Sequence, residues 1–190
     1  MAVPKKIINF LQKEEIRHKV ISHKTVYTSF DKSATLAIDP KLIAKTVVLK
    51  GDNSFYIAVI PGNRNLEKEK FKKTLNLIRK KNREKLVKKI DFATERWINN
   101  NFKGVKIGAI PPFGKLFKYP LFLDKSLSKN KEIYLSSGNY NDSIIITLAF
   151  FKKTANDIFE GNFSAVKKKK KKSVKKNQLK KRRRNRNLGD

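Results

Sequence analysis

Lys45 stands inside an otherwise apolar run, Ile43-Ala44-Lys45-Thr46-Val47-Val48-Leu49. A lysine there either snorkels to solvent or points into a polar cavity. In a cavity its ammonium can stabilise negative charge as it develops on a carbonyl oxygen. A second segment, Gly108-Ala109-Ile110-Pro111-Pro112-Phe113-Gly114, brackets a double proline with glycines. Pro111 and Pro112 fix φ and carry no N–H, and Gly108 and Gly114 reach conformations closed to other residues. Such a loop is stiff, and its remaining N–H groups are left for a ligand with oxygen acceptors. A tight structural turn is the plainer reading of an isolated Gly/Pro cluster; the lysine strand upstream favours a pocket. Asp124 follows Tyr119-Pro120-Leu121-Phe122-Leu123, where it either orients a cation or caps a turn with Ser126.

Other familiar chemistries are missing from the sequence. Cysteine is absent, which removes disulfides, thiol nucleophiles and cysteine-based metal sites. The two histidines, His18 and His23, both lie near the N-terminus, and no Gly-x-Ser-x-Gly elbow occurs. No Ser-His-Asp arrangement follows from these positions. No metal site and no cofactor are expected.

The elements that must position these residues read as follows. Pro4 to Glu15 places Ile7, Ile8, Phe10 and Leu11 at helical spacing, and Lys19–Ser22 is a short strand. Ser29 or Asp31 caps a helix through Ala34, Leu36 and Ala37. Thr46–Lys50 and Ser54–Ile60 form a hairpin about Gly51-Asp52-Asn53. A basic amphipathic helix covers Leu66 to Ile78, and another helix covers Asp91 to Phe102 with Phe92, Trp97 and Phe102 inward. Val105–Gly108, Tyr119–Leu123, Glu132–Ser136 and Ser143–Leu148 are strands. A helix over Phe150–Phe159 closes the domain, with Gly161 as terminator. Hairpins mixed with helices argue for an α+β fold around a mixed sheet.

Length and charge bound the rest. A chain of 190 residues accommodates one domain, expected over 1–164, and an extension over 165–190. The formal charge is +30. The extension holds 14 of the 46 basic residues and one of the 16 acidic ones, so both parts are basic. Its run Lys167, Lys168, Lys169, Lys170, Lys171 and Lys172, with Arg182, Arg183 and Arg184 beyond, has little apolar surface to bury and is expected to be disordered and to contact RNA. No apolar run approaches the roughly 20 residues of a membrane span, and no signal peptide is recognised. A cytoplasmic protein away from the membrane is expected.

Ala44 to Leu49, Ala58-Val59-Ile60-Pro61-Gly62, Gly108 to Gly114, Leu123-Asp124-Lys125-Ser126-Leu127 and Ser137-Gly138 occur in the order seen in the YbaK/prolyl-tRNA synthetase-associated domains. The chain resembles that family over residues 5 to 160. The resemblance implies a curved mixed β-sheet with helices outside, and hydrolysis of the ester joining a wrong amino acid to the tRNA 3′ end. The family's functional lysine maps to Lys45, which would hold the terminal phosphate or ribose region, or the carbonyl. The loop of Gly108, Ala109, Ile110, Pro111 and Pro112, closed by Gly114, would offer backbone N–H groups to the carbonyl or the attacking water. Asp124 would assist Lys45; His23, Ser137, Gly138 and Tyr140 would contact substrate. Relatives read Asn-Ala-Gly-Thr-His where this chain has Ser136-Ser137-Gly138-Asn139-Tyr140, and a phenol titrating at about 10 cannot replace a histidine as base near neutral pH. Implied partners are tRNA and a synthetase or ribosome. A non-catalytic RNA-binding protein on the same fold is the alternative.

Overall fold

The computed structural model describes residues 2–166. The basic run from Lys167 through Arg184, with its expected disorder and RNA contact, lies outside the described residues.

The chain opens with α1 (Lys5–Lys13), whose Ile7, Phe10 and Leu11 are buried, followed by β1 (His18–Ser22). Helix α2 (Ser29–Leu36) is capped by Thr28, with Asp31 closing a reciprocal capping box. Neither Ser29 nor Asp31 is the N-cap; Asp31 takes part from the third helical position. A 3₁₀ turn at Pro40–Leu42 leads into β2 (Ala44–Gly51), which pairs antiparallel with β3 (Ser54–Pro61) through the expected hairpin.

The basic helix, α3 (Lys68–Lys81), begins later than its apolar spacing implied. Leu66 belongs instead to β4 (Arg64–Leu66). The segment assigned to one helix from Asp91 divides into β5 (Ile90–Phe92) and α4 (Glu95–Asn101), capped by Thr94. Phe92 is therefore not a core contact; it is 55% exposed on a sheet edge. After the short α5 (Gly114–Phe117) come β6 (Leu121–Asp124), β7 (Glu132–Ser136) and β8 (Asp142–Thr147). The closing helix stops early: α6 (Leu148–Lys152) gives way to β9 (Ile158–Gly161), so Gly161 is a buried strand residue rather than a helix terminator. A side chain there would meet Thr74 at 2.6 Å, which is why glycine occupies it. β10 (Ser164–Val166) carries the described fold past residue 164 and pairs with β4.

Five strands form the central sheet in the order β5-β2-β3-β6-β9, antiparallel through β3 and parallel from β3 to β9. A second sheet, β1-β8-β7, is antiparallel, and a bridge from Ile43 to Tyr134 joins it to the start of β2. Both faces of the central sheet are covered, and strand alternation shows how. Along β3, Ile57 and Val59 face a core shared with α1, β7 and β8. Tyr56, Ala58 and Ile60 face a second core with Phe71 and Leu75 of α3. Residues read as simply apolar thus serve two layers. The architecture is α+β around a mixed sheet, as expected.

Val105–Gly108 is not a strand. Gly104 and Gly108 both take φ near +80°, and the Ala109 N–H turns back to Lys106 O at 3.0 Å. Those left-handed glycines break an extended path. The segment is fastened to Gly138 instead, through Lys106 N–H to Gly138 O and Gly138 N–H to Ala109 O, at 2.8 and 2.9 Å.

Candidate functional site

A cavity of about 310 Å³ opens between the start of β2, the N-terminal end of α2, the Gly108 turn and the loop after β7. Strand β2 contributes Ala44, Lys45 and Thr46; α2 and its lead-in contribute Tyr27, Thr28, Ser29 and Lys32. Gly108 and Ala109 form one wall, and Ser136, Asn139 and Tyr140 another. Lys45 and Gly108, far apart in sequence, are brought to the same space.

Lys45 is partly buried, and its ammonium donates to Arg64 O at 2.8 Å. Arg64 is in turn held by Ser164, through Nε to Oγ and through Nη2 to the carbonyl oxygen, both at 2.8 Å. The β4–β10 ribbon therefore sets where the Lys45 ammonium stands. Gly108 takes φ of +79°, and the space a Cβ would occupy is open, with no atom within 4 Å. Its N–H has no acceptor among the described residues. The loop is poorer in free donors than its sequence implied. Ala109 N–H is engaged by Lys106 O, Phe113 N–H by Pro111 O, and the prolines have none.

The remaining loop residues serve packing. Ile110 and Phe113 belong to the main core, and Pro111 and Pro112 are buried beside them. Gly114 lies outside this cavity; it borders a separate cleft with Lys118 and Asn156, and a Cβ on it would stand 3.0 Å from Ala155 Cβ.

Asp124 does not line the cavity. It is 1% exposed, with one oxygen accepting from Ser126 N–H at 3.0 Å and from the Ser126 hydroxyl, and the other from Phe163 N–H at 3.0 Å. The turn-cap reading is the one realised. The carboxylate also anchors the chain one residue before Ser164, so its link to Lys45 runs through β10 and Arg64 rather than through a shared pocket.

His23 is likewise absent from the cavity lining. Its Nδ1 lies 2.8 Å from Lys24 O, so that nitrogen is the donor, and Nε2 accepts from the Ser143 hydroxyl at 2.9 Å. Ser137 is fully buried and donates to Asp142 O at 2.8 Å. Gly138, at φ of +99°, is pressed against Pro4 and Val105 while it fastens the Gly108 turn. Both build the cavity wall from behind. Tyr140 does reach the cavity: its hydroxyl donates to Ile107 O at 2.7 Å, directly before Gly108, and its ring meets Tyr27 edge-on at 4.9 Å.

Sequence reasoning missed Lys32. It is the buried residue of α2, 7% exposed, while Phe30 on the same helix is 48% exposed. Thr28, Lys32 and Leu36 share a face at intervals of four, and that periodicity was the available signal. Burial pushes the Lys32 ammonium down from 10.5 to about 8. On the same cavity, Thr46 Oγ1 is buried without a hydrogen-bond partner among the described residues. Among the described residues the lining holds no carboxylate and no histidine, and its charged groups are Lys32 and Lys45.

With this geometry in view, the comparisons with known proteins bear directly on the cavity. The sequence profile of the aminoacyl-tRNA editing domain matches residues 23–153, which includes every cavity-lining segment. The chain belongs to the aminoacyl-tRNA editing domain family. A proline–tRNA ligase of Fervidobacterium nodosum is 35% identical over 89 residues, covering 47% of this chain and 14% of the ligase. The editing domain here thus corresponds to a small part of that enzyme's length. Among solved structures, a hypothetical protein superposes with a TM-score of 0.71 at 17% identity, covering 84% of this chain and 99% of its own. A candidate trans-editing enzyme for prolyl tRNA synthetase superposes at 0.70 and 16%, covering 85% and 96%. These two show a shared fold. Among the described residues no helix is long and apolar enough to cross a membrane, and no cluster of His, Asp or Glu could hold a metal ion.

Proposed function

We propose that this editing domain hydrolyses the ester bond of mischarged aminoacyl-tRNA, with the 3′-terminal aminoacyl-adenosine seated in the cavity beside Lys45. The observation that carries this reading is the meeting of Lys45 and Gly108 on one cavity whose lining contains, among the described residues, two ammonium groups and no carboxylate. Hydrolysis of an ester passes through a tetrahedral oxyanion, and preorganised donors aimed at that oxygen supply the largest share of such catalysis. Lys45, already held by Arg64 O, offers a fixed cation, and the Gly108 N–H offers a neutral donor. The open space beyond the Gly108 α-carbon lets a substrate approach its backbone closely. Tyr27, 70% exposed on the cavity rim, presents a ring face on which an unpaired base can stack.

The identity of the wrong amino acid is set by the volume left around Ala44, Ile43 and Val26, and small side chains fit such a space best. The test is a deacylation assay of the full-length protein against tRNAs charged with a panel of non-cognate amino acids. Release of at least one of them well above the spontaneous rate is expected. A chain that binds these tRNAs and hydrolyses none would support the alternative, an RNA-binding protein on the editing fold. The basic surface favours tRNA as partner under either reading; the prolyl-tRNA ligase relative makes a synthetase the natural associate.

A further inference from the structure

The cavity has cations and donors but no obvious group to take a proton from water. Among the described residues its lining holds no histidine and no carboxylate, and the Tyr140 phenol is engaged by Ile107 O. We propose that Lys32 is the proton acceptor of this site, its neutral amine activating the water that attacks the ester carbonyl. The inference rests on the hydrolase reading given above and names the base that reading lacks.

Three observations carry it. Lys32 is 7% exposed and lines, from α2, the same cavity as Lys45. Its ammonium makes no hydrogen bond or ion pair with any described residue, so none of these holds it in the charged form. The charged neighbours are arranged the same way. Asp31, next on α2, is tied to Thr28; Asp39 and Lys41 beside the 3₁₀ turn pair with each other at 3.5 Å; and the groups facing into the cavity are Lys45, Tyr27 and Tyr140. Burial of the Lys32 side chain opposes its protonation. The consequence agrees with the downward displacement of Lys32 to about 8, the range in which an amine works as a general base near neutral pH.

The step balances without a co-reactant. As the water oxygen bonds to the carbonyl carbon, its proton passes to Lys32 Nζ and the carbonyl electrons move onto oxygen, facing Lys45 and the Gly108 N–H. Collapse of that intermediate breaks the bond to the ribose oxygen, which takes the proton back from Lys32. The amino acid leaves as its carboxylate, releasing a proton to solvent, and the tRNA regains its hydroxyl.

The test is the pH dependence of kcat/KM on one mischarged tRNA for the wild type, Lys32→Met and Lys32→Arg, with thermal unfolding of each. The wild-type rate should rise close to tenfold per pH unit and level off above about 8. Both variants should lose roughly 100-fold or more at the plateau, within the range for general bases, and lose the rise. Lys32→Met should unfold no earlier than wild type, because methionine suits a buried position better than an unpaired ammonium. Near-normal turnover by Lys32→Arg would overturn the proposal, since a group that never deprotonates would then suffice. So would a Lys32→Met enzyme that keeps its rate and pH rise. A wild type inactive on every charged tRNA is a different failure: it overturns the hydrolase reading, and the base with it.

Discussion

Three side chains in and behind the cavity are polar for different reasons, and substitutions should separate them. Asp124 holds a turn and the start of β10 through three accepted hydrogen bonds. Replacing it by Ala leaves buried donors unmet and should cost about 3 kcal/mol, read by denaturant titration. Activity should fall only as far as Lys45 is displaced. Lys32 behaves in the opposite sense. Its folded value of about 8 lies below its ordinary 10.5, so between those limits the unfolded chain binds a proton that the folded chain does not. Stability contributed by this site therefore rises with pH from about 8 to 10.5, and below 8 the buried ammonium costs on the order of 3 kcal/mol. The advantage of Lys32→Met over wild type in unfolding experiments should be greatest near pH 7 and vanish above 10.5. Tyr140→Phe removes the bond to Ile107 O and should cost about 1 kcal/mol, with a several-fold fall in kcat/KM as the Gly108 turn loosens. That Lys45 and Gly108 would share one cavity was legible from residue type, setting and the family resemblance. Lys32 was not, because a short helix with Phe30 and Lys32 two apart invites the apolar residue inward, and only the packed structure shows the reverse.

Long, strongly patterned elements were read close to their observed bounds: the β2–β3 hairpin, β7, β8 and α1 all follow from alternation or helical spacing. Short ones were not. β4 and β10 are three residues each, too brief for any period to register, and their pairing is non-local. Yet this ribbon supplies the carbonyl that holds Lys45. Likewise the Val105–Gly108 segment has strand-like side chains, but its glycines at positive φ turn it into a wall of the cavity. A prediction follows at this scale. Arg64→Ala removes both contacts to Ser164 while keeping the backbone acceptor for Lys45. The ribbon should fray, measured as faster amide exchange at residues 64–66 and 164–166, and kcat should drop more than KM rises, since a mobile Lys45 weakens stabilisation of the transition state.

The whole molecule carries +30, and its charge is divided between the editing domain and the basic extension. Phosphate contacts from the extension, if it binds tRNA as proposed, would add affinity without reading sequence. Removing residues 167–190 should weaken binding to every tRNA alike and flatten the dependence of affinity on salt, as titrations from roughly 50 to 200 mM would record. Which amino acid is released should not change, because the cavity lies entirely within residues 26–140. The central claim is that this cavity breaks an aminoacyl ester through Lys45, and one measurement addresses it directly. Single-turnover deacylation of a mischarged tRNA should be compared between wild type and Lys45→Met, with tRNA binding and folding measured alongside. Lys45→Met should lose roughly 100-fold or more in the chemical rate with binding and folding little altered. Equal rates for the two proteins would contradict it and move the chemistry away from this cavity.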